Sequence, residues 1–243
     1  MEPLNHVDLF GRSLIKYIEK MKKEYIENTL KAYQNNEKAA KYFEQHQKSL
    51  SWARLTMWLE LRNVKKALSF FCNKDSITTI LDIPCGTGVA GGVFSEGMHK
   101  VVAIDISEEM MYFAKESYNL KILDRFMQAD ITNIPLDDLY SQGAIVLGFM
   151  HRVPLEVKIN SLNELSRVNK DFIVVSFTVD DIFQRMKRAL FSVFKKKHAS
   201  APEPMKLSEI KNLINNHGFR VVRTNHVFPI LSGEIMIWAK KER

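Results

Sequence analysis

The stretch Thr78-Thr79-Ile80-Leu81-Asp82-Ile83-Pro84-Cys85-Gly86-Thr87-Gly88 joins a short apolar run to a glycine-rich turn. An unbroken run of β-branched and apolar residues is typical of a strand buried on both faces of a parallel sheet. Glycines directly after such a strand let a ligand approach the backbone, because no side chain stands in the way. The turn also directs the N-terminus of a following helix towards that ligand. This stretch therefore predicts the first strand of an α/β domain, with a ligand site at its carboxyl end.

Similar apolar runs recur down the chain, and helical patterns separate some of them. Apolar residues at helical spacing predict helices over 108–118 and 155–168, and a shorter one over 208–217. Alternation of strands and helices indicates an α/β domain with a parallel sheet. The further predicted strands are 101–105, 125–130, 144–149, 172–177, 219–227 and 234–240.

The N-terminal part of the chain has a different character. Residues 12–73 contain neither glycine nor proline and carry apolar residues at helical spacing, so residues 1–75 are predicted to form a helical lid or extension. Residues 76–243 would be the core, with a helical insert at about 181–204 after the fifth strand. Within that insert, 182–198 reads as an amphipathic helix with a basic face.

Composition excludes several classes of protein. The 243 residues are 46% hydrophobic and 26% charged, which rules out a disordered tail, a collagen or a coiled coil. Lysine and arginine number 35 against 28 acids, a net charge of +7 that suggests an anionic partner or surface. The only cysteines, Cys72 and Cys85, indicate a reducing compartment, and no leader or membrane span is evident. The expected setting is the cytoplasm, with peripheral contact to a membrane through 182–198 as an option.

The acidic residues around the turn indicate a nucleoside ligand. Asp105 ends the second predicted strand, where a carboxylate can accept both hydroxyls of a ribose. Gly86, Gly88 and Gly91 also satisfy the dinucleotide pattern G-x-G-x-x-G, which keeps a nicotinamide-dependent oxidoreductase open. However, Asp82 precedes the first glycine by four residues, and its charge suits a cationic amine better than a pyrophosphate.

Four segments in order resemble the motifs of the class I S-adenosylmethionine-dependent methyltransferases, in their small-molecule type. They are Leu81–Gly88, Val102–Met110, Phe126–Asp130 and Leu147–Pro154. The resemblance covers about residues 77–178, and the closing strand pair fits the family's sixth and seventh strands. It implies a Rossmann-like, mostly parallel seven-stranded sheet, S-adenosylmethionine as cofactor and methyl transfer as activity. Pro84 and Cys85 depart from the commonest pattern, in which glycine is frequent at these positions.

The resemblance assigns roles by position. Asp82 would act near the methionine amine, Asp105 would hold the ribose and Asp130 would bind the adenine amino group. The glycines of the turn would admit the methionine portion and the ribose, and Cys85 is read as a packing residue rather than a nucleophile. The implied cofactor-binding residues are Asp82, Cys85, Gly86, Thr87, Gly88, Asp105, Ile106, Met110, Asp130, Ile131 and Leu147.

The acceptor side of the site stays open at the level of sequence. His151 is a candidate base or a structural histidine, and Arg152 either binds an anionic substrate or lies on the surface. Candidate substrate or lid residues are Tyr33, Tyr42, Arg54, Phe149 and Arg152. The expected acceptor is a small molecule, a quinone-like lipid or a lipid-linked glycan. Nucleic acid is disfavoured and no metal site is expected. A non-catalytic subunit that binds the cofactor is the remaining alternative.

Overall fold

The computed structural model of the chain describes residues 52–72, 76–94, 99–181, 185, 204–228 and 232–242. Labels below count the elements within these residues. The helices are α1 (Trp52–Phe71), α2 (Gly91–Phe94), α3 (Glu108–Ala114), α4 (Leu155–Val168) and α5 (Leu207–Asn215), with a 3₁₀ turn at Met150–Arg152. The strands are β1 (Thr78–Asp82), β2 (His99–Asp105), β3 (Leu123–Gln128), β4 (Ser141–Val146), β5 (Asn169–Thr178), β6 (Phe219–His226) and β7 (Glu234–Lys241).

The strands form one seven-stranded sheet in the order β3-β2-β1-β4-β5-β7-β6. Strands β1 to β5 run parallel, and β7 is antiparallel to both β5 and β6. This confirms the predicted Rossmann-like, mostly parallel sheet. The order reverses between β1 and β4, so the crevice at the carboxyl ends of these strands is the expected ligand position for an open α/β sheet.

The unbroken apolar runs arise because the sheet is covered on both faces. Successive side chains of a strand point to opposite faces. Thus Leu81 packs in a cluster with α4 and α5, while Ile80 packs in a second cluster with α1, α2 and α3. Both side chains are fully buried.

Helix α1 lies against the second of these faces. Val64 and Ala67 are fully buried in it, and the Phe71 ring stacks on Phe172 of β5 at 4.4 Å between centroids. Since Phe172 lies near the start of β5, the C-terminal turns of α1 sit at the amino end of that strand. The N-terminal half of α1 therefore extends towards the carboxyl edge of the sheet.

Helix α3 and strand β4 both end earlier than predicted, at points where the chain turns towards the site. Helix α3 ends at Ala114 rather than Tyr118, and Tyr118 is buried against the sheet instead of continuing the helix. Strand β4 ends at Val146 rather than Phe149, because Gly148 adopts a positive φ of 64° that no regular strand accommodates.

Part of the predicted architecture lies outside the described residues. This applies to 1–51, which hold most of the expected helical extension, and to nearly all of the basic insert 182–198. Among the helices of the described ranges, none combines the length and apolar character needed to cross a membrane.

The contact between β4 and β5 offers a test of the packing. A Cβ added to Gly143 of β4 would lie 2.5 Å from the Phe172 ring. We expect Gly143→Ala to lower the free energy of unfolding by about 1–3 kcal/mol through overpacking, as measured by urea denaturation. Gly92→Ala is the matched control, because an added Cβ there meets no atom within 4 Å. An unchanged stability of Gly143→Ala would contradict the packing described for these two strands.

Candidate active site

The glycine-rich turn is fixed between the ends of β1 and β2. The Cys85 N–H donates to the Ile104 carbonyl at 2.8 Å, and the Gly88 N–H donates to the Cys85 carbonyl at 2.9 Å. Gly86 and Gly88 have φ values of 54° and 78°, in the left-handed region that favours glycine. The turn therefore needs glycine at both positions for backbone reasons alone.

The glycines nevertheless face different surroundings. A Cβ added to Gly86 would meet no atom within 4 Å, so the backbone at Gly86 borders open space. A Cβ added to Gly88 would lie 2.9 Å from the Ala114 Cα, and one added to Gly91 would lie 2.5 Å from the Ser117 carbonyl oxygen. Gly86 thus leaves room for a ligand, whereas Gly88 and Gly91 allow the chain after α3 to approach the turn.

The Asp105 carboxylate lies at the centre of the site. Its Oδ2 accepts from the Gly86 N–H at 2.7 Å, and its Oδ1 accepts from the Ser107 N–H at 2.9 Å. Burial raises the pKa of Asp105 to about 6, although these backbone N–H donors and that of Ile106 act to lower it. Each carboxylate oxygen can accept a further hydrogen bond, so ribose hydroxyls can be bound without breaking the existing ones.

Asp82, at the end of β1, is held by a residue that the sequence analysis missed. The Tyr118 hydroxyl donates to Asp82 Oδ2, and both side chains are buried. Burial raises the pKa of Asp82 to about 7, the Tyr118 hydrogen bond lowers it and the nearby Asp105 charge raises it. A bound cation would stabilise the ionised form of this carboxyl. Tyr118 is 36 residues from Asp82, and no local pattern links the two.

The start of α3 brings a helix terminus to the same place. Ser107 is the N-cap, and its hydroxyl oxygen accepts from the Met110 N–H at 3.0 Å. Ile106 and Met110, on either side of the cap, both border the pocket at the carboxyl edge of the sheet. The cap thus fixes the backbone that carries these two apolar contacts.

Asp130 and Ile131 lie in a turn beyond the end of β3. Asp130 Oδ1 accepts from the N–H and the hydroxyl of Thr132, at 2.8 and 2.9 Å. The following segment is anchored by Arg167 of α4, which donates to the carbonyls of Ile134 and Leu136 at 2.7 Å each. The turn that presents Asp130 is therefore held in place from both ends.

These elements enclose one pocket with an empty volume of about 930 Å³, part of it open to solvent. The structure brings together ten of the eleven sequence-predicted cofactor residues there, together with Phe149 and Arg152. The pocket is lined by Asp82, Ile83, Pro84, Cys85, Gly86, Thr87, Val89, Ala90, Asp105, Ile106, Met110, Ala129, Asp130, Ile131, Leu147, Gly148, Phe149, Arg152 and Val153. Sequence reasoning did not single out Ile83, Val89, Ala90, Ala129, Gly148 or Val153, which contribute mainly shape.

The other predicted residues lie elsewhere. Gly88 packs against the end of α3 instead of lining the pocket, and Arg54 is an exposed residue in the first turn of α1. Tyr33 and Tyr42 lie outside the described residues. The lid role predicted for Tyr33, Tyr42 and Arg54 therefore stays a prediction.

His151 lies next to the pocket-lining Arg152 in the 3₁₀ turn. Burial and, to a smaller extent, the positive charges of Arg152 and Lys158 together lower the pKa of His151 to about 4. The Arg152 Nε–H donates to His151 Nε2 at 3.2 Å, which assigns the remaining ring proton of the neutral imidazole to Nδ1. Nδ1 is buried and has no hydrogen-bond partner in the structure as described. In this arrangement His151 can donate through Nδ1, but its lone pair is already engaged.

The residues present fit S-adenosylmethionine. The pocket has a buried carboxyl at the end of β1, another at the end of β2 and a half-buried one after β3, in the order that the family motifs imply. The open space beside Gly86 would admit the ribose and methionine portions. The apolar Ile106, Ile131 and Leu147 supply surfaces against which an adenine ring can pack.

Comparison with known proteins agrees with this geometry. Residues 80–171 match the family model described as a methyltransferase domain. A stretch of 59 residues is 37% identical to the malonyl-[acyl-carrier protein] O-methyltransferase of Pectobacterium atrosepticum, and it covers 24% of this chain and 22% of that protein. The chain thus spans about a fifth of this curated relative.

Solved structures share the fold at low sequence identity. The magnesium protoporphyrin IX methyltransferase of Synechocystis, with SAH bound, has a TM-score of 0.69 at 16% identity, over 92% of this chain and 100% of that one. Human N-acetylserotonin methyltransferase in complex with SAM has a TM-score of 0.63 at 19% identity, over 87% of this chain and 58% of that one.

The raised pKa values make the ligand-free protein less stable as pH rises. Between the unfolded pKa of 3.8 and the folded values of about 7 and 6, the folded state binds more protons at Asp82 and Asp105 than the unfolded state does. Their contribution to stability is therefore lost as pH rises through 6 and 7.

We expect Asp82→Asn to remove most of the loss of stability that occurs as pH rises, because the pKa of Asp82 is raised further than that of Asp105. In thermal melts from pH 5 to pH 8, the melting temperature of wild type should fall relative to that of the variant. A constant difference between the two proteins across this range would contradict the raised pKa of Asp82.

Proposed function

We propose that this chain, whose residues 80–171 match a family model described as a methyltransferase domain, is a class I S-adenosylmethionine-dependent methyltransferase. It would transfer a methyl group from that cofactor to an oxygen, nitrogen or carbon nucleophile. The observation that carries the proposal is the convergence of Asp82, Asp105 and Asp130 on one pocket beside the open face of Gly86. Three carboxyls at the ends of neighbouring strands are arranged to bind a nucleoside with a cationic amine.

Each part of the site has a distinct task in this proposal. Asp105 holds the ribose hydroxyls, Asp82 acts near the methionine amine and Asp130 binds the adenine amino group. S-adenosylmethionine supplies, when bound, a methyl group on a positively charged sulfur. The main task of the protein is then to align the methyl acceptor with that group. Alignment alone can lower the activation barrier of methyl transfer by several kcal/mol, and by about 7–11 kcal/mol in well-oriented systems.

The acceptor side of the pocket consists of Phe149, Arg152 and Val153. The apolar side chains of Phe149 and Val153 support a methyl acceptor that is largely apolar, such as a small molecule, a quinone-like lipid or the lipid portion of a lipid-linked glycan. The sequence after β4, Leu147-Gly148-Phe149-Met150-His151-Arg152-Val153-Pro154, lacks the Asn-Pro-Pro-Tyr or Asp-Pro-Pro-Tyr motif of many amino methylases of nucleic acids and proteins. The proposal therefore places nucleic acid last among the acceptors.

The role of His151 follows from its hydrogen bonds. Its Nε2 already accepts from Arg152, so Nδ1–H is the only ring group of His151 left to bond to a methyl acceptor. Action as a base would require Arg152 to move away first, and the pKa of about 4 makes the imidazole a weak base at neutral pH.

The cellular setting is also part of the proposal. Cys72 and Cys85 are buried free thiols, which supports a reducing cytoplasmic compartment. Contact with a membrane surface through 182–198 remains a hypothesis drawn from the basic, amphipathic sequence of that segment.

Calorimetric titration with S-adenosylhomocysteine, and separately with NAD, tests the proposed cofactor. We expect micromolar binding of S-adenosylhomocysteine and none of NAD. Asp105→Ala should lower the affinity for S-adenosylhomocysteine at least tenfold, because a hydrogen bond to a charged group contributes about 1.5–3 kcal/mol.

The control is Asp137→Ala, which removes an exposed acid outside the pocket and should leave the affinity unchanged. Because Asp105 also supports the turn through Gly86, Asp105→Asn serves as a milder second variant. Preference for NAD would support an oxidoreductase instead. Tight nucleoside binding without methyl transfer to any acceptor would support a non-catalytic subunit.

A further inference from the structure

Tyr118 lies behind the cofactor pocket, on the far side of a carboxyl that the pocket exposes. It follows α3 and is buried, and it does not border the pocket, whereas Asp82 does. Its hydroxyl donates to Oδ2 of Asp82. The pocket and Tyr118 therefore meet the same carboxyl from different sides.

The ring of Tyr118 is fixed by contacts on several sides. It stacks on Phe94 of α2, with 6.5 Å between the ring centroids and 11° between the ring planes. Phe126 of β3 meets it edge-to-face, at 5.5 Å and 90°. A Cβ added to Gly91 would lie 3.2 Å from the Tyr118 Cγ, so the backbone at the start of α2 also borders the ring closely. These contacts hold the hydroxyl at one position beside Asp82.

The two oxygens of the Asp82 carboxyl have different surroundings. Oδ2 accepts from Tyr118, and no hydrogen bond to Oδ1 occurs among the residues that the structure describes. Tyr118 remains a donor at neutral pH, because burial and then the charge of Asp82 raise the pKa of its hydroxyl well above the ordinary value. Since each carboxylate oxygen can accept hydrogen bonds, Oδ1 is available to an ammonium group in the pocket.

We propose that Tyr118 is a positioning residue of the cofactor site: by holding Oδ2 of Asp82 it orients this carboxyl so that Oδ1 binds the amine of the methionine portion. This rests on the proposed function, since it takes the bound nucleoside to carry an ammonium group. Tyr118 acts through Asp82 and touches neither the cofactor nor the acceptor.

The groups around Asp82 make recognition of the amine depend on pH. Burial and the charge of Asp105, against the opposing hydrogen bond from Tyr118, raise the pKa of Asp82 to about 7. The Cys85 thiol stays neutral, because burial raises its pKa well above the ordinary value. On β4, the register partner of Asp82 is the apolar Ile145.

The direction of the pH effect follows from the charge of the ligand. An ammonium group binds the ionised carboxyl of Asp82, so its affinity should increase as pH rises through 7. Loss of the Tyr118 hydroxyl removes a donor that favours the ionised form, and should therefore move this increase to higher pH. A role of Tyr118 in packing alone predicts no such change, because phenylalanine at position 118 would keep both ring contacts.

Titrations of the full chain with S-adenosylhomocysteine and with 5′-methylthioadenosine test the proposal. The second compound has the same nucleoside but no amino acid portion, so the ratio of the two affinities isolates the amine from the titration of Asp105. From pH 5.5 to pH 8.5 we expect this ratio to increase by about threefold or more in wild type, with a midpoint near 7. In Tyr118→Phe the midpoint should rise by about one pH unit, and the affinity for 5′-methylthioadenosine should stay within about twofold.

Two controls separate the hydroxyl from the packing of the ring. Tyr112→Phe removes the hydroxyl of an exposed tyrosine of α3 and should leave the ratio and its midpoint unchanged. In an Asp82→Asn background the ratio should no longer depend on pH. Tyr118→Phe should change it there by less than about twofold, because Tyr118 acts through the carboxylate that this background lacks.

The outcomes separate the positioning role from the proposed function. A Tyr118→Phe midpoint equal to that of wild type, or a Tyr118→Phe effect that persists in the Asp82→Asn background, would overturn the positioning role and leave the cofactor site intact. The wild-type series needs no variant to fold, and a ratio that is flat with pH would also overturn this role. Failure of S-adenosylhomocysteine to bind wild type would overturn the proposed function itself.

Discussion

The buried carboxylate of Asp105 joins two loops that belong to different strands. It binds the Gly86 N–H of the turn after β1 and the Ser107 N–H at the start of α3. Hydrogen bonds from backbone N–H groups keep this carboxyl able to ionise although it is buried, which burial alone would oppose. The shape of the glycine turn, the direction of α3 and the position of the carboxylate proposed to bind the ribose all depend on this one contact.

Next to this contact, burial and the charge of Asp105 disfavour the ionised form of Asp82, and a cationic ligand would favour it. Asp82 and Asp105 lie close enough to raise the pKa of Asp82, and Tyr118 offsets part of that cost. A positive group bound next to Asp82 would remove the penalty for ionising it.

Sequence alone predicted the parts of this protein that local patterns determine. The apolar runs identified all seven strands, because a sheet covered on both faces needs them, and the residues of the Leu81–Gly88 segment identified the turn. What sequence could not predict are contacts between distant residues. Tyr118 reaches Asp82 only because α3 stops at Ala114. Nor could sequence reveal that Gly88 packs against α3, since both glycines of the turn have the same backbone preference.

A crystal structure of the chain with S-adenosylhomocysteine would test the central claim most directly. The account predicts that both ribose hydroxyls lie within hydrogen-bond distance of the Asp105 carboxylate, and that this carboxylate keeps its bonds to the Gly86 and Ser107 N–H groups. The adenine should lie between Ile106 and Ile131. A nucleoside bound elsewhere, or a ribose bound without Asp105, would contradict the account of this site.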